Sequence, residues 1–210
     1  MTGAHSQAAP AALHQAIRGR RSIRGLTGPP LTREEVEALV GLALTAPAPH
    51  HTRPWRFAHV SPSARAGLAR AMGDAWLADM RRDGVDPAQS ERAVERSRRQ
   101  IEEAPTLLVG ALVGEGLRAW PDERRLRAEW MMAAQSFGAA LENLLLAASG
   151  AGVAAYWISA PLFAPEAVRG SLSLPGDWVA QAAVALGRPR ADYRPFDRPA
   201  PDVSGSLLWR

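Results

Sequence analysis

The segment Ala46 to Phe57, Ala-Pro-Ala-Pro-His-His-Thr-Arg-Pro-Trp-Arg-Phe, sets two adjacent histidines and two arginines among three prolines. Proline fixes φ and carries no N–H, so this stretch is neither regular helix nor central strand, and Pro49 leads into a stiff polar loop. Imidazoles held on such a loop can donate a hydrogen bond to a bound ring or move a proton near neutral pH, which makes His50 and His51 candidate proton donors. Adjacent histidines can also bind metal, yet no third His, Cys, Asp or Glu stands at a ligand-like spacing, and no metal is expected. No Gly-x-Ser-x-Gly turn accompanies them, which argues against a serine hydrolase.

About thirty residues upstream, Arg20-Arg21-Ser22-Ile23-Arg24 gathers three guanidiniums around a hydroxyl. Arginine presents a planar fork of donors matched to phosphate oxygens, and serine adds a short O–H donor, so one dianion can be held from several sides. Each half taken alone has a plainer reading, a solvated basic turn or a Pro-rich connector. Their pairing is far more specific.

Composition narrows the chemistry. The 210 residues contain no cysteine, which excludes disulfides, thiolate metal sites, iron–sulfur clusters and a cysteine nucleophile, and fits a cytoplasmic protein. All 25 basic residues are arginine, so no lysine can form a Schiff base and pyridoxal-phosphate chemistry is excluded. A formal charge of only +4, with arginines interleaved among acids, argues against nucleic acid and for attraction of a small anion. The opening residues lack a basic stretch followed by an apolar run, and no apolar stretch approaches the roughly 20 residues of a membrane span, so neither signal peptide nor membrane anchor is expected.

The elements that must position these groups follow from periodicity. Residues 1–9 read as a disordered leader and 10–210 as one domain. Thr32 is a helix cap with Glu34 and Glu35 in the first turn, and this helix delivers the chain to the Pro-His loop. Trp55, Phe57 and Val60 alternate as a strand, and helices follow from Ser63 to Met80 and from Asp86. Thr106 to Val113 is an unbroken apolar run and predicts a strand covered on both faces. Arg124 to Ser149 is a long helix, apolar almost all round except for a thin stripe of Gln135, Ser136, Glu142 and Asn143, a pattern more easily buried at a subunit interface than within one small chain. Strands at Val153 to Ser159 and Trp178 to Leu186, with a short helix between them and no regular βαβ rhythm, predict an α+β sandwich around one mixed central sheet flanked by helices. The Pro-rich stretch of about 188–210 is expected to be an extended tail.

Together the basic motif and the TAPAPHHTRPWRF loop resemble the flavin mononucleotide (FMN) signature of the nitroreductase family, a basic R-x-S-x-[RK] followed by an A-P-S-x-x-N-x-Q-P-W-x-F loop. Asp74-Ala75-Trp76, Ala104-Pro105 and Trp120-Pro121-Asp122 extend the likeness to the C-terminal nitroreductase-like domain of the bifunctional coenzyme F420 biosynthesis protein. The chain departs where nitroreductases carry Asn and Gln, here His51 and Arg53, and where relatives carry Cys-Trp-Ile-Gly, here Tyr156-Trp157-Ile158-Ser159. The resemblance implies a nitroreductase-like fold with FMN at a homodimer interface. It implies that Arg20, Ser22 and Arg24, with Arg198 from the tail, hold the phosphate, and that Arg21 serves the polyol or pyrimidine edge. Pro49, His50 and His51 would close over the cofactor from the partner subunit, and Trp157, Ile158 and Ser159 would line the ring. It further implies a helical insertion at about 74–103 near the active site, with Trp76, Arg81 and Arg82 as candidate substrate contacts. The activity implied is an FMN-dependent oxidoreductase that reduces dehydro-F420 or binds F420, without the glutamate-ligase activity of the bifunctional protein. A general NAD(P)H-dependent nitro or quinone reductase, or a non-catalytic flavin or deazaflavin binder, fits the same motifs.

Overall fold

In the computed structural model, which describes residues 8–210, the chain runs α1 (Ala8–Gly19), β1 (Leu26–Thr27), α2 (Arg33–Ala43), β2 (Trp55–His59), α3 (Pro62–Arg82), α4 (Pro87–Glu102), β3 (Thr106–Leu112), α5 (Glu123–Gly150), β4 (Ala154–Ile158), α6 (Pro165–Ser171) and β5 (Val179–Pro189). Residues 1–7, most of the expected leader, lie outside the described residues. Ala8 and Ala9 belong to α1 instead. Alanine is the best helix former, and Pro10 stands in the first turn, where its missing N–H costs nothing.

β5 forms the middle of the sheet. Val184 pairs with Leu108 of β3 on one edge and with Trp157 of β4 on the other, β2 lies outside β3, and β1 pairs with the end of β5 at Arg188 and Pro189. Every pair among the described residues is antiparallel, which corrects the expectation of a mixed sheet. The reason is topological: α5 is a single crossover that brings β4 back in the direction of β3, but β5 inserts between them in the opposite sense.

Side chains alternate between the two faces. Leu108, Leu112, Ala182, Val184 and Leu186 pack with α2 and α5, whereas Leu107, Val109, Ala183, Ala185, Tyr156 and Ile158 pack with α3 and α6. β3 is buried at every position, as its unbroken apolar run requires. α5 approaches β3 tightly at Gly110, where a Cβ would stand 2.5 Å from Cζ of Phe137.

Local signals set the helix ends. Thr32 and Glu35 form a reciprocal capping box on α2, and Asp86 and Asp122 accept backbone N–H groups at the starts of α4 and α5. The Trp120-Pro121-Asp122 motif is therefore the cap of α5. Asp74 bonds Arg98 and joins α3 to α4 as a helical hairpin, and residues 74–103 cover the second half of α3 and all of α4. One face of α5, including Ala133, Phe137, Leu141 and Leu144, is buried, while Met131 on its outer side is 56% exposed and Leu126, in its first turn, is 39% exposed. This chain by itself leaves the outer stripe of α5 uncovered.

Candidate functional site

Residues 20–26 form a strap along β4, pinned where the Ile23 N–H donates to the Ala155 carbonyl at 3.0 Å. Arg20 turns its Nε to Glu142 Oε1 of α5 at 2.8 Å, and the Arg198 guanidinium donates to the Arg20 carbonyl at 2.7 Å. The tail is carried there by an anchor at its root, where the Arg190 N–H donates to the Gly25 carbonyl at 2.9 Å. Tyr193 lies so close to Gly25 that a Cβ there would be 2.5 Å from the tyrosine ring, so only glycine fits. Arg20, Ser22 and Arg198 thus share one end of the strap. A guanidinium carries five N–H donors, so Arg20 keeps donors for an anion after meeting Glu142.

Arg24 departs from the expected constellation. Its guanidinium stands 5.7 Å from the centroid of Tyr156, and Tyr156 belongs to the core on the α3 side of the sheet, whereas Glu142 sits on α5 across it. The strap thus carries Arg20 to the α5 side of the sheet and Arg24 to the side of Tyr156. Arg21 donates to the Arg18 carbonyl at 3.2 Å, and Ser22 is exposed.

The Pro-His loop is strained. His50, His51 and Arg53 have φ of 53°, 56° and 48°, a left-handed conformation that costs a non-glycine residue about 1–2 kcal/mol. Pro49 opens the turn, and its carbonyl accepts from both the N–H and the hydroxyl of Thr52. Strain of this kind persists where surrounding structure enforces it, commonly at functional sites. His51→Gly should therefore raise stability by about 0.5–1 kcal/mol, the relief of strain exceeding the added freedom of the unfolded chain. Chemical denaturation checks this, and a loss of stability would mean that the His51 side chain makes a stabilising contact.

Behind the loop, the buried Glu129 accepts from Trp120 Nε1 at 3.0 Å and from the Arg118 N–H at 3.2 Å. These bonds, Trp120 first, hold its carboxyl below the usual glutamate value, helped by the positive charge of Arg118. A depressed folded-state pKa gives stability that is present above the ordinary value of 4.5 and lost as pH falls below it. The stability difference between the wild type and Glu129→Gln should therefore shrink as the pH is lowered from 7 to about 3; a difference independent of pH would contradict it.

At the end of β4, Trp157 and Ile158 point to opposite faces. Trp157 is 38% exposed on the α5 side, while Ile158 is 7% exposed on the α3 side. The two do not line a single surface, as alternation requires of strand neighbours. Ser159 is exposed and begins the 3-10 turn 160–163. Ile158 borders a cavity of about 620 Å³ with Met72, Trp76, Asp79, Ala160 and Phe163. Of the three expected substrate contacts, Trp76 lines this cavity. Arg81 and Arg82 are exposed at the end of α3 outside its wall, and Arg82 bonds Asp79 at 3.0 Å.

Sequence reasoning did not assign roles to Glu142 or Glu129. The signal for Glu142 was present as the polar stripe on an otherwise apolar helix: Glu142 meets Arg20, and Asn143 donates to Thr45 at 3.4 Å before the Pro-His loop. Among the described residues, no three His, Asp or Glu side chains gather as metal ligands.

The chain belongs to the nitroreductase family, which it matches over residues 17–188. It is 28% identical over 199 residues to 5,6-dimethylbenzimidazole synthase of Rhodospirillum rubrum, spanning 91% of this chain and 85% of that protein. Its fold is similar to that of a BluB-like flavoprotein from Clostridium difficile, with a TM-score of 0.72, 18% identity, and 94% and 98% of the two chains covered. It is likewise similar to the FMN-dependent nitroreductase NfnB of Mycobacterium smegmatis solved with NADPH, at TM-score 0.71, 19% identity, and 96% and 99% coverage. The chain is an oxidoreductase of this family, and no helix among its described residues is long and apolar enough to cross a membrane.

Proposed function

We propose that this protein uses FMN to transfer reducing equivalents from a reduced nicotinamide to an organic acceptor. The observation that carries this reading is the hydrogen bond of 2.7 Å from the Arg198 guanidinium to the Arg20 carbonyl, which brings the tail arginine to the end of the strap that bears Arg20 and Ser22. That donor set suits a phosphate dianion. When bound, FMN supplies reversible hydride chemistry, so no side chain need act as a nucleophile. Arg20, Ser22 and Arg198 bind the phosphate, with Glu142 orienting Arg20, and Arg21 serves the polyol or pyrimidine edge. Trp157 and Ser159 border the ring. His50 and His51 donate hydrogen bonds or a proton from the loop of a second subunit. A homodimer is favoured by the apolar residues left open on α5 and in the tail, among them Met131, Phe196, Leu208 and Trp209. The cysteine-free composition suits the cytoplasm.

For the acceptor, the resemblance to the F420 biosynthesis domain favours a deazaflavin, in the dehydro-F420 to F420 step. Two other acceptor classes compete. A nitro or quinone compound is favoured by the NADPH-bound relative, and benzimidazole formation by the 28% identical synthase. Anaerobic reduction with NADPH followed by each acceptor separates them. Preferential reoxidation by dehydro-F420 supports the first reading and preference for a nitroaromatic the second. Release of 5,6-dimethylbenzimidazole, read by mass spectrometry after the reduced protein is exposed to molecular oxygen as the oxidant, moves the assignment to the synthase class, and bound flavin that never turns over makes the protein a carrier.

A further inference from the structure

Arg198 reaches the strap across a long stretch of chain without secondary structure: β5 ends at Pro189, and residues 190–197 intervene. Among the described residues, the hydrogen bond from the Arg198 guanidinium to the Arg20 carbonyl is the one that ties residues 191–210 to anything before Arg190. That bond is exposed, and one exposed hydrogen bond does not offset the backbone freedom lost in ordering such a length of chain. A contact nearer the root must hold the tail in place.

The root supplies one. The Arg190 N–H donates to the Gly25 carbonyl at 2.9 Å, and the Tyr193 N–H donates back to the Arg190 carbonyl at 3.1 Å, a turn that lays the half-buried tyrosine on Gly25. A Cβ at residue 25 would stand 2.5 Å from Tyr193 Cδ2 and 2.6 Å from its Cβ and Cγ. These atoms lie at the base of the side chain, so they yield only if the turn itself moves. The strap beneath is fixed in its turn, since Ile23 is pinned to Ala155 of β4.

We infer that Tyr193 is a positioning residue: its ring on Gly25 latches the tail to the strap and so keeps the Arg198 guanidinium beside Arg20 for the phosphate. The phosphate part of this rests on the FMN reading above; the latch does not. Five residues of extended chain span at most about 17 Å, so a seated Tyr193 confines Arg198 to the neighbourhood of the strap, whereas a free one lowers its effective concentration there. The contact is made by the ring and Cβ rather than the hydroxyl, so phenylalanine should serve as well as tyrosine and alanine should not. The backbone at Gly25 is not left-handed, so alanine at that position is opposed by Tyr193 and not by its own φ.

Two measurements on the full-length protein test this, and the first needs no flavin. Trypsin cleaves after arginine except before proline, and of Arg188, Arg190, Arg194 and Arg198 only Arg190 is not followed by proline. The tail therefore offers one tryptic bond, Arg190–Ala191, inside the latch turn, and cutting it requires the turn to open. Tyr193→Ala and Gly25→Ala should each speed that cut by at least ~10-fold, Gly25→Ala should add nothing once Tyr193 is alanine, and Tyr193→Phe should cut as slowly as the wild type. The second measurement is FMN titration. Tyr193→Ala should weaken binding by about 10-fold, the loss of one charge-assisted hydrogen bond, Tyr193→Phe should restore it, and Tyr193→Ala should cost nothing further in an Arg198→Ala background because it acts through that guanidinium. Cleavage unchanged in both Tyr193→Ala and Gly25→Ala overturns the latch. Full-strength FMN binding in Tyr193→Ala or in Arg198→Ala, or losses that add in the double variant, overturns the positioning role. A wild type that takes up no FMN removes the proposed function, and the latch then stands or falls on the cleavage rate alone.

Discussion

Arg20→Ala should weaken FMN binding by about 10- to 100-fold while leaving the chain folded, because a hydrogen bond to a charged group contributes about 1.5–3 kcal/mol. Arg20 is the one strap residue tied at both ends, by its Nε to Glu142 and by its carbonyl to Arg198. Losing it removes one guanidinium from the phosphate and leaves Glu142 near an anion it would repel. Two companion variants separate these effects. Glu142→Gln keeps an acceptor for Nε but drops the charge, so flavin binding should change little. Arg20→Lys keeps the charge but loses the planar fork and should fall between wild type and alanine. The comparison is read by FMN titration of the apoprotein, with circular dichroism for the fold. If Glu142→Gln proves as damaging as Arg20→Ala, the ion pair matters for shape alone and Arg20 is not a phosphate ligand.

The second large effect is expected at the seam between α5 and the sheet. Phe137 is 2% exposed, its ring lies 6.0 Å from Phe57, and its edge fills the space that a side chain at Gly110 would take. Phe137→Ala should cost about 3–5 kcal/mol and lower the melting temperature by roughly 6–20 °C. Gly110→Ala should cost about 1–3 kcal/mol by overpacking in the wild type and much less once Phe137 is alanine, because the new methyl then enters the space the ring vacated. Additive losses in that double-mutant cycle would mean that Gly110 and Phe137 do not meet. The seam also matters for function, since the helix that carries Phe137 carries Glu142 and Glu129.

The sequence made the helices and the buried strand legible because each depends on nearby residues. Thr32, Asp86 and the apolar run of β3 are local statements, and they sit where periodicity and capping chemistry put them. The antiparallel order of the sheet was not legible, because it depends on where β5 inserts between β3 and β4, a choice made among segments some 70 residues apart. The site divides in the same way. Arg20 and Ser22 were candidates from their motif and Arg198 from the family resemblance, but the turn of Arg24 toward Tyr156, away from Arg20 and Glu142, depends on how the strap lies along β4 and is written in no local pattern. Strand alternation split Trp157 from Ile158. The seat of Tyr193 was hidden for another reason: in sequence the Pro-rich tail reads only as extended, and the fold alone sets that ring on Gly25.

The most direct test of the account is an absorbance spectrum of the purified protein, before and after addition of FMN, alongside the Arg20→Ala/Ser22→Ala variant. The account predicts a bound-flavin spectrum in the wild type, bleached by NADPH without oxygen, and little or no bound flavin in a variant that still melts cooperatively. A wild-type protein that binds no flavin even with FMN in excess, or a variant that binds it at full strength, would contradict the assignment of the strap as the FMN phosphate site.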